Sequence, residues 1–381
     1  MRKIDRGLLD KLMSERDKTV DVLRGLGIIT VVAGHAWSGT GLPPFSPYSF
    51  HMPLFFFLSG LFFKEERIEA PIAFALKNAR TLLLPTTIFF LVYALFCQLI
   101  RAAGFVSLWQ PFSIWNVLFN QFGNAAAYGF TAPYWFIPCL FFVRVYFGLV
   151  HTRLNALLAG VARGREVVLQ IFWALIYLLG AGFAVHASRH MYLEGRVTTS
   201  EIVVLRIIFA AFFYYAGYLA ARWKATRFLP NVLLLVALYI VQQQLWATGK
   251  TLDFWMQVMK FEHPVLPIVT SLTGIAFMYG VAGIISNNQI SKKILAFIGE
   301  NGLPIVFHQL LAFFLVNAVL CGLGVINPAD VKNNYFQWHT EHMWYVYVLA
   351  GIAVPIALDR YVLKPLGHLI KTPWHRPATG T

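Results

Sequence analysis

Charge is scarce in this 381-residue chain, and acidic charge is scarcer than basic. Asp, Glu, Lys and Arg make up only 13% of it. A soluble globular chain carries about 25%, so a large soluble enzyme with a single anchor is excluded. Cysteine is nearly absent. Cys97, Cys139 and Cys321 are odd in number, unrelated in spacing and set in apolar stretches, which leaves packing rather than a disulfide framework or a metal site. There is no Walker loop, no dinucleotide-binding glycine pattern, no His-Glu-x-x-His, no Cys-x-x-Cys and no nucleic-acid module. Ser59-Gly60 does not sit in a hydrolase elbow. Internal repeats and low-complexity tracts are missing as well.

What the chain has in quantity is apolar surface, 58% of its residues. Ten apolar spans are legible, roughly 20–39, 48–63, 82–100, 132–150, 167–186, 201–221, 229–248, 264–285, 294–321 and 342–362. Connected alternately, the segments on the N-terminal side hold about 22 Lys and Arg, and those on the other side about 6. Basic residues are retained in the cytoplasm. The expected fold is therefore an all-α integral membrane protein of about ten transmembrane helices with cytoplasmic N- and C-termini. The net charge of +14 is explained by topology, with attraction to membrane lipid or an anionic donor as a consequence and no nucleic acid. Residues 1–19 read as a basic cytoplasmic leader, 20–363 as the membrane domain and 364–381 as a basic cytoplasmic tail. The leader lacks the short apolar core and small-residue cleavage site of a signal peptide. The outer segment 102–131, with Trp109, Trp115, Phe119, Phe122, Tyr128 and Phe130, reads as interfacial or re-entrant. The ninth span is a candidate for a break at Pro304.

Arg24 and His35 lie within the first span, where ionisable groups are rare without a task. Eleven residues at 100° each come to about 20° past three full turns, so both project from nearly one helix face, ~16 Å apart along the axis. Arg24 alone is open to a structural reading, as a snorkelling anchor or a partner of Asp21. Its functional reading is an anion site, because a guanidinium donates bidentate hydrogen bonds to phosphate and stays charged. His35 is too deep to reach the cytoplasmic surface. It reads either as a hydrogen-bonded structural histidine or as a general base.

Further polar groups are weighed in the same way. His308 is expected at the depth of His35, with Asn301 two turns earlier on the same face and Glu300 opening the group as a helix-start carboxylate. These three are candidates for catalytic or oxyanion support. His51, at an outer span mouth, is ordinary there. Arg80 stands at a cytoplasmic helix start, where topological retention competes with anion binding. Arg144 lies deeper and is the better candidate for a buried anion contact, while Arg206 is close enough to the outer end to be a surface anchor.

An arginine near the cytoplasm and a histidine ~16 Å further out suit a long anionic donor with its phosphates low and its reactive end high. An acyl-CoA has that form. His35 would take the proton of an acceptor hydroxyl as it attacks the thioester, or would itself carry the acyl group. The sequence leaves both routes open.

At these residues the chain resembles a known family. Val20-Asp21-Val22-Leu23-Arg24-Gly25 followed by Ala33-Gly34-His35 resembles the first-span motif of the acyltransferase 3 family, membrane-bound carbohydrate O-acyltransferases. Met52-Pro53-Leu54-Phe55-Phe56-Phe57-Leu58-Ser59-Gly60 is similar to its second span, and Arg80 with Leu83-Leu84-Pro85 to its third-span entry. Pro133-Tyr134-Trp135-Phe136-Ile137-Pro138 resembles the fucose 4-O-acetylase-like branch. Phe213 to Tyr218 and Ile298 to His308 complete the series. The resemblance implies a ten-span bacterial inner-membrane protein that O-acylates an envelope or exopolysaccharide sugar. The donor would be acetyl-CoA or another acyl-CoA as co-substrate, with no metal. It implies His35 as the catalytic histidine, Arg24 as its partner and Arg80 in the acyl-CoA site. Lipid-linked or polymeric sugar is the implied acceptor, with polysaccharide assembly machinery as a further partner. The chain would complete the transfer itself or hand the acyl group on.

Two other classes compete. A transporter or flippase would use the intramembrane Arg and His to bind an anionic or lipid-linked substrate, but the paired broken helices of inverted repeats are not seen. A structural subunit of an export complex would have no need of Arg24 and His35 in register.

Overall fold

The computed structural model describes residues 18–36, 45–65, 70–105, 110–162, 164–248, 252–331 and 335–366. The leader before Lys18, the turn Ser38 to Pro44, Trp109 and the tail beyond Leu366 lie outside them. Among the described residues every regular element is helical; the one β-bridge joins Trp255 and Lys260. The elements are α1 (Lys18–Ala36), α2 (His51–Leu61), α3 (Pro71–Ala102), α4 (Ile114–Phe119), α5 (Ala132–Gly160), α6 (Glu166–Leu193), α7 (Thr199–Arg222), α8 (Val232–Ala247), α9 (Leu266–Ile285), α10 (Gln289–Glu300), α11 (Gly302–Gly322) and α12 (Thr340–Leu366).

Eight of these are long and apolar enough to cross a membrane, against the ten spans read from the sequence. The difference lies in the second and seventh. Both form as apolar helices, α2 with 11 residues and α8 with 16, which falls short of the ~20 that a 30 Å hydrocarbon layer asks of a straight helix. The ninth span also differs, being two helices, α10 and α11, parted at Asn301 (φ −94°, ψ 19°). Pro304 is the physical cause. It has no N–H for the Glu300 carbonyl and its ring crowds that carbonyl, so the break falls one turn before the proline. Within α11 itself Pro304 sits in the first turn, where its missing N–H is harmless.

The chain divides into two compact units. The first comprises the described parts of Met1–Val31, Gly41–Ala75 and Phe142–Glu300. Its helices meet at glycines. A Cβ on Gly60 would fall on the Tyr214 carbonyl, and one on Gly217 would fall on the Phe57 carbonyl. Thus α2 and α7 touch backbone to backbone through reciprocal small residues, as helices do where the surrounding lipid offers little driving force for association. A Cβ on Gly25 would likewise fall on the Leu295 carbonyl, which brings α1 against α10. The segment Leu252 to Phe261 is tied in by side chains. Ser188 donates to the Met259 carbonyl, Tyr192 to the Val258 carbonyl at 2.8 Å and Arg206 to the Gln257 carbonyl at 2.7 Å.

The second unit comprises Val32–Thr40 as far as described, Leu76–Phe141 and the described part of Asn301–Thr381. Its α11 packs along α12, and a Cβ on Gly351 of α12 would meet both Val32 of α1 and Phe313 of α11. Asn317 of α11 accepts from the Tyr347 hydroxyl at 2.6 Å and donates to the Phe336 carbonyl at 2.9 Å. The segment expected to lie at the interface is only partly so. Trp115 and Phe119 of α4 are exposed and stacked, with ring centroids 5.5 Å apart. Tyr128 and Phe130 are core residues instead. The Tyr128 hydroxyl both accepts from the Ser113 N–H and donates to the Ser113 carbonyl at 3.0 Å, which satisfies a turn that would otherwise bury open backbone groups.

Candidate active site

Both residues singled out in the first span belong to α1, one unbroken helix. Its first part joins the first unit and its end, from Val32, the second. Apolar residues on nearly every face bury most of it, as expected of a helix inside a bundle.

In the first unit, Arg24 pairs with Asp21 through Nη1 and Oδ1 at 3.4 Å, and its guanidinium stands 5.7 Å from the Phe62 ring centroid. The expected Asp21 partnership is present, but 3.4 Å is long for a charge-assisted hydrogen bond, which closes to about 2.7–2.9 Å. The Arg24 side chain keeps 29% of its exposure while Asp21 is buried. The arginine, not the carboxylate, is the solvent-accessible member of the pair. Gly299 of α10 lies directly against it, since a Cβ there would stand 3.2 Å from the Arg24 Cβ. Glu300 follows at once and is exposed. It closes α10 and precedes Asn301, so it is not the helix-start carboxylate expected. A carboxylate at a helix C-terminus faces the negative end of the dipole.

Arg144 of α5 is half-buried and acts electrostatically on Tyr214. Its Nε is shielded from solvent with no hydrogen-bond partner among the described residues. Tyr214 shares a hydrogen bond with Ser59 and packs on Phe63, 5.8 Å between centroids. Arg24 and Arg144 thus stand about the Phe62–Phe63 end of α2. A network at that end was not visible in the sequence. Tyr218 donates to Glu65 at 2.7 Å and accepts from Arg222 at 3.1 Å, and Arg222 bonds Glu166 at 3.2 Å. Its members are scattered over three distant stretches, each an ordinary helix-end residue there.

One other expectation changes in this unit. Arg206 is fully buried and holds the Gln257 carbonyl, so it is not a surface anchor. His51 is also buried, with Nδ1 2.5 Å from the Pro47 carbonyl. A carbonyl only accepts, so that nitrogen carries the proton. Close by, Asp253 lies beside Ser46 and Tyr48. Burial raises its carboxyl above the usual range, and burial with the Asp253 charge pushes the Tyr48 phenol up to about 12.

In the second unit, Arg80 is exposed on the π-helical turn Ala79–Leu83 of α3. Such turns often mark functional positions. The His35 ring is half-buried and lies 5.5 Å from the Tyr335 ring, and its carbonyl accepts from Gln337 Nε2 at 3.1 Å. His308 of α11 is buried, with Nδ1 2.7 Å from the Tyr93 hydroxyl and the Phe89 ring edge-on at 4.8 Å.

The expectation that His308 matches His35 in depth fails. Val32 and Phe313 meet at Gly351, and the Asn317–Phe336 bond lies beside the Gln337–His35 bond. Hence α1 and α11 run in parallel here. His35 is three residues beyond Val32 and His308 five before Phe313, which separates their levels by about 12 Å. Asn301 lies further still, at the N-cap of α11. The continuous span that aligned them is interrupted.

Among the described residues, eight helices long and apolar enough to span a bilayer define a multi-pass membrane protein. The acyltransferase domain family matches residues 17–360. The chain therefore belongs to that family, acyltransferase 3, and is a membrane acyltransferase. No curated protein and no solved structure matches it.

Proposed function

We propose that this acyltransferase moves an acyl group, acetyl in the simplest case, from an acyl-CoA to a hydroxyl of an envelope or exopolysaccharide sugar. The observation that carries the reading is α1 itself, which holds Arg24 and His35 in one unbroken helix at an eleven-residue interval. The interval suits a donor whose phosphates and thioester are held apart by an extended arm.

His35 takes the proton of the acceptor hydroxyl. The oxygen attacks the thioester carbon, the C–S bond breaks, and the imidazolium returns the proton to the leaving CoA thiolate. A placed base of this kind contributes about 10²–10⁴-fold. Arg24 binds donor phosphate, and Arg144, whose Nε has no partner among the described residues, adds a second cation in the same unit. Arg80 of the second unit keeps the acyl-CoA role that the family resemblance implies. Glu300, one residue past the Gly299 contact, belongs to the Arg24 end. Asn301 and His308 lie too far from the His35 level to hold the same carbonyl. Tyr335, with its ring 5.5 Å from His35, is the better candidate for steadying the oxyanion. In this reading the protein sits in a bacterial inner membrane with both termini on the cytoplasmic side, where acyl-CoA is found. The acceptor is a lipid-linked or polymeric sugar delivered with polysaccharide assembly machinery.

The test is acetyl-CoA turnover by protein purified in detergent and reconstituted in liposomes, read as free CoA thiol, together with ester analysis of surface polysaccharide from cells with and without the gene. Turnover by the wild type, its loss in His35→Ala and a missing sugar ester in the deletion are expected. No thiol release by the wild type refutes the reading.

A further inference from the structure

Gln309 is a fully enclosed polar side chain in the membrane part of the second unit. It sits in the eighth position of α11 and is 0% exposed, and neither Oε1 nor Nε2 meets a hydrogen-bond partner among the described residues. A primary amide left open in this way is strongly unfavourable, because it has lost water and gained nothing. At membrane depth the surrounding hydrocarbon offers no substitute. A leucine would serve packing better, so the amide has another use.

Its direction is set by its neighbours. Phe313, four residues on and so on the same face, meets Val32 of α1 and Gly351 of α12. His308, one residue earlier, turns to α3 through Tyr93 and Phe89. Gln309 therefore presents its amide on the α1–α12 side, the side that carries His35. Its level follows from the same contacts. It lies four residues before Phe313, while His35 lies three beyond Val32, so the two are separated by roughly 10 Å along the parallel helices.

That separation matches a feature of the donor. In the pantetheine arm of a CoA thioester, standard bond lengths place the first amide nitrogen about 5 Å and the second about 10 Å from the thioester carbon when the arm is extended. The arm is uncharged there, and each amide offers one donor and one acceptor. Gln309 offers a carbonyl acceptor and two N–H donors, none of them matched among the described residues. We propose that Gln309 is the binding residue for the amides of the donor's pantetheine arm, holding it so that the thioester reaches His35. This inference rests on the acyl-CoA reading given above.

The experiment uses the full-length protein in liposomes and compares acetyl-CoA with an analogue in which the inner amide N–H of the arm is replaced by CH₂, and with a second analogue altered in the same way at the outer amide. Gln309→Leu is the variant. The expected result is a KM for acetyl-CoA about tenfold higher in Gln309→Leu, as for one lost hydrogen bond in a buried site, with kcat little changed. The wild type is expected to discriminate against at least one analogue by a similar factor, and Gln309→Leu to lose that discrimination. Thermal unfolding without donor separates a structural role, since removing an unmatched amide leaves stability equal or raises it. An unchanged KM, or discrimination retained in Gln309→Leu, overturns the proposal. A lowered melting temperature with an unchanged KM does so too, and assigns Gln309 to the fold. If the wild type neither turns over nor binds acetyl-CoA, the donor reading fails first; if it does both and only the analogue pattern is absent, the Gln309 assignment alone fails.

Discussion

Gly299 and Arg24 are in direct backbone register. A Cβ on Gly299 would lie 3.2 Å from the Arg24 Cβ and nearer still to the Asp21 carbonyl and the Gly25 nitrogen. The helix that carries the arginine is thus seated on α10 at the arginine itself, so the position of the guanidinium depends on the absence of a side chain on another helix.

Gly299→Ala is expected to push α10 from α1, because the obstructing atoms are largely backbone. Overpacking of this kind destabilises by about 1–3 kcal/mol. Thermal unfolding in detergent reads the stability. The KM for acetyl-CoA is expected to rise in the fraction that remains folded, since Arg24 moves with α1. A variant as stable and as active as wild type contradicts the register.

The reciprocal contacts of Gly60 and Gly217 allow a second test. Gly60→Ala and Gly217→Ala each place a methyl group on a carbonyl of the facing helix. Each is expected to lower folded yield and melting temperature more than Gly182→Ala, where nothing stands within 4 Å. Gly182 lies mid-helix in α6, so alanine there is expected to be neutral or slightly stabilising.

Tyr93→Phe removes the hydroxyl bonded to His308 Nδ1. A buried ring nitrogen then loses its partner, and about 1–3 kcal/mol of stability is expected to go with it. Because His308 sits ~12 Å from the His35 level, kcat per folded molecule is expected to change little. A large fall in kcat with unchanged stability would restore His308 to the chemistry.

Asp253 gives a pH-dependent outcome. Burial raises its carboxyl in the folded state above the unfolded value. Where the group is ionised in both states, the buried charge disfavours folding. Asp253→Asn is therefore expected to unfold at a higher temperature than wild type near pH 7. The gap closes as the pH falls through the folded carboxyl's range, where the wild type takes up its proton first in the folded state. A gap that widens in acid contradicts the assignment.

Much of the architecture was legible because the signal is collective. Ten apolar stretches can be read from hydropathy alone, and ten apolar helices form at those places, two of them too short to span unaided. What misled was single-residue logic. Arg206 looked like an anchor near a helix end, yet a loop lies against it and supplies the Gln257 carbonyl. Pro304 was recognised as a breaker, but its effect falls one turn earlier, at Asn301, because the clash is with the carbonyl four residues back. The break starts α11 at Gly302, so His308 falls in its second turn rather than deep in one long span. Gln309 gave no signal, as a lone glutamine beside a histidine in an apolar run is unremarkable until its neighbours are known. Arg24 and His35 were visible because their meaning depends only on spacing within one helix, which local structure preserves.

The central claim is a division of labour along α1, with Arg24 holding the donor and His35 handling the proton. It is tested most directly by measuring acetyl-CoA affinity and acyl-transfer rate separately for Arg24→Met and His35→Ala in liposomes. Expected are a weakened Kd in Arg24→Met and, in His35→Ala, a near-normal Kd with the rate down by about 10²-fold or more. Transfer by His35→Ala at the wild-type rate, or donor binding by Arg24→Met as tight as wild type, would contradict it.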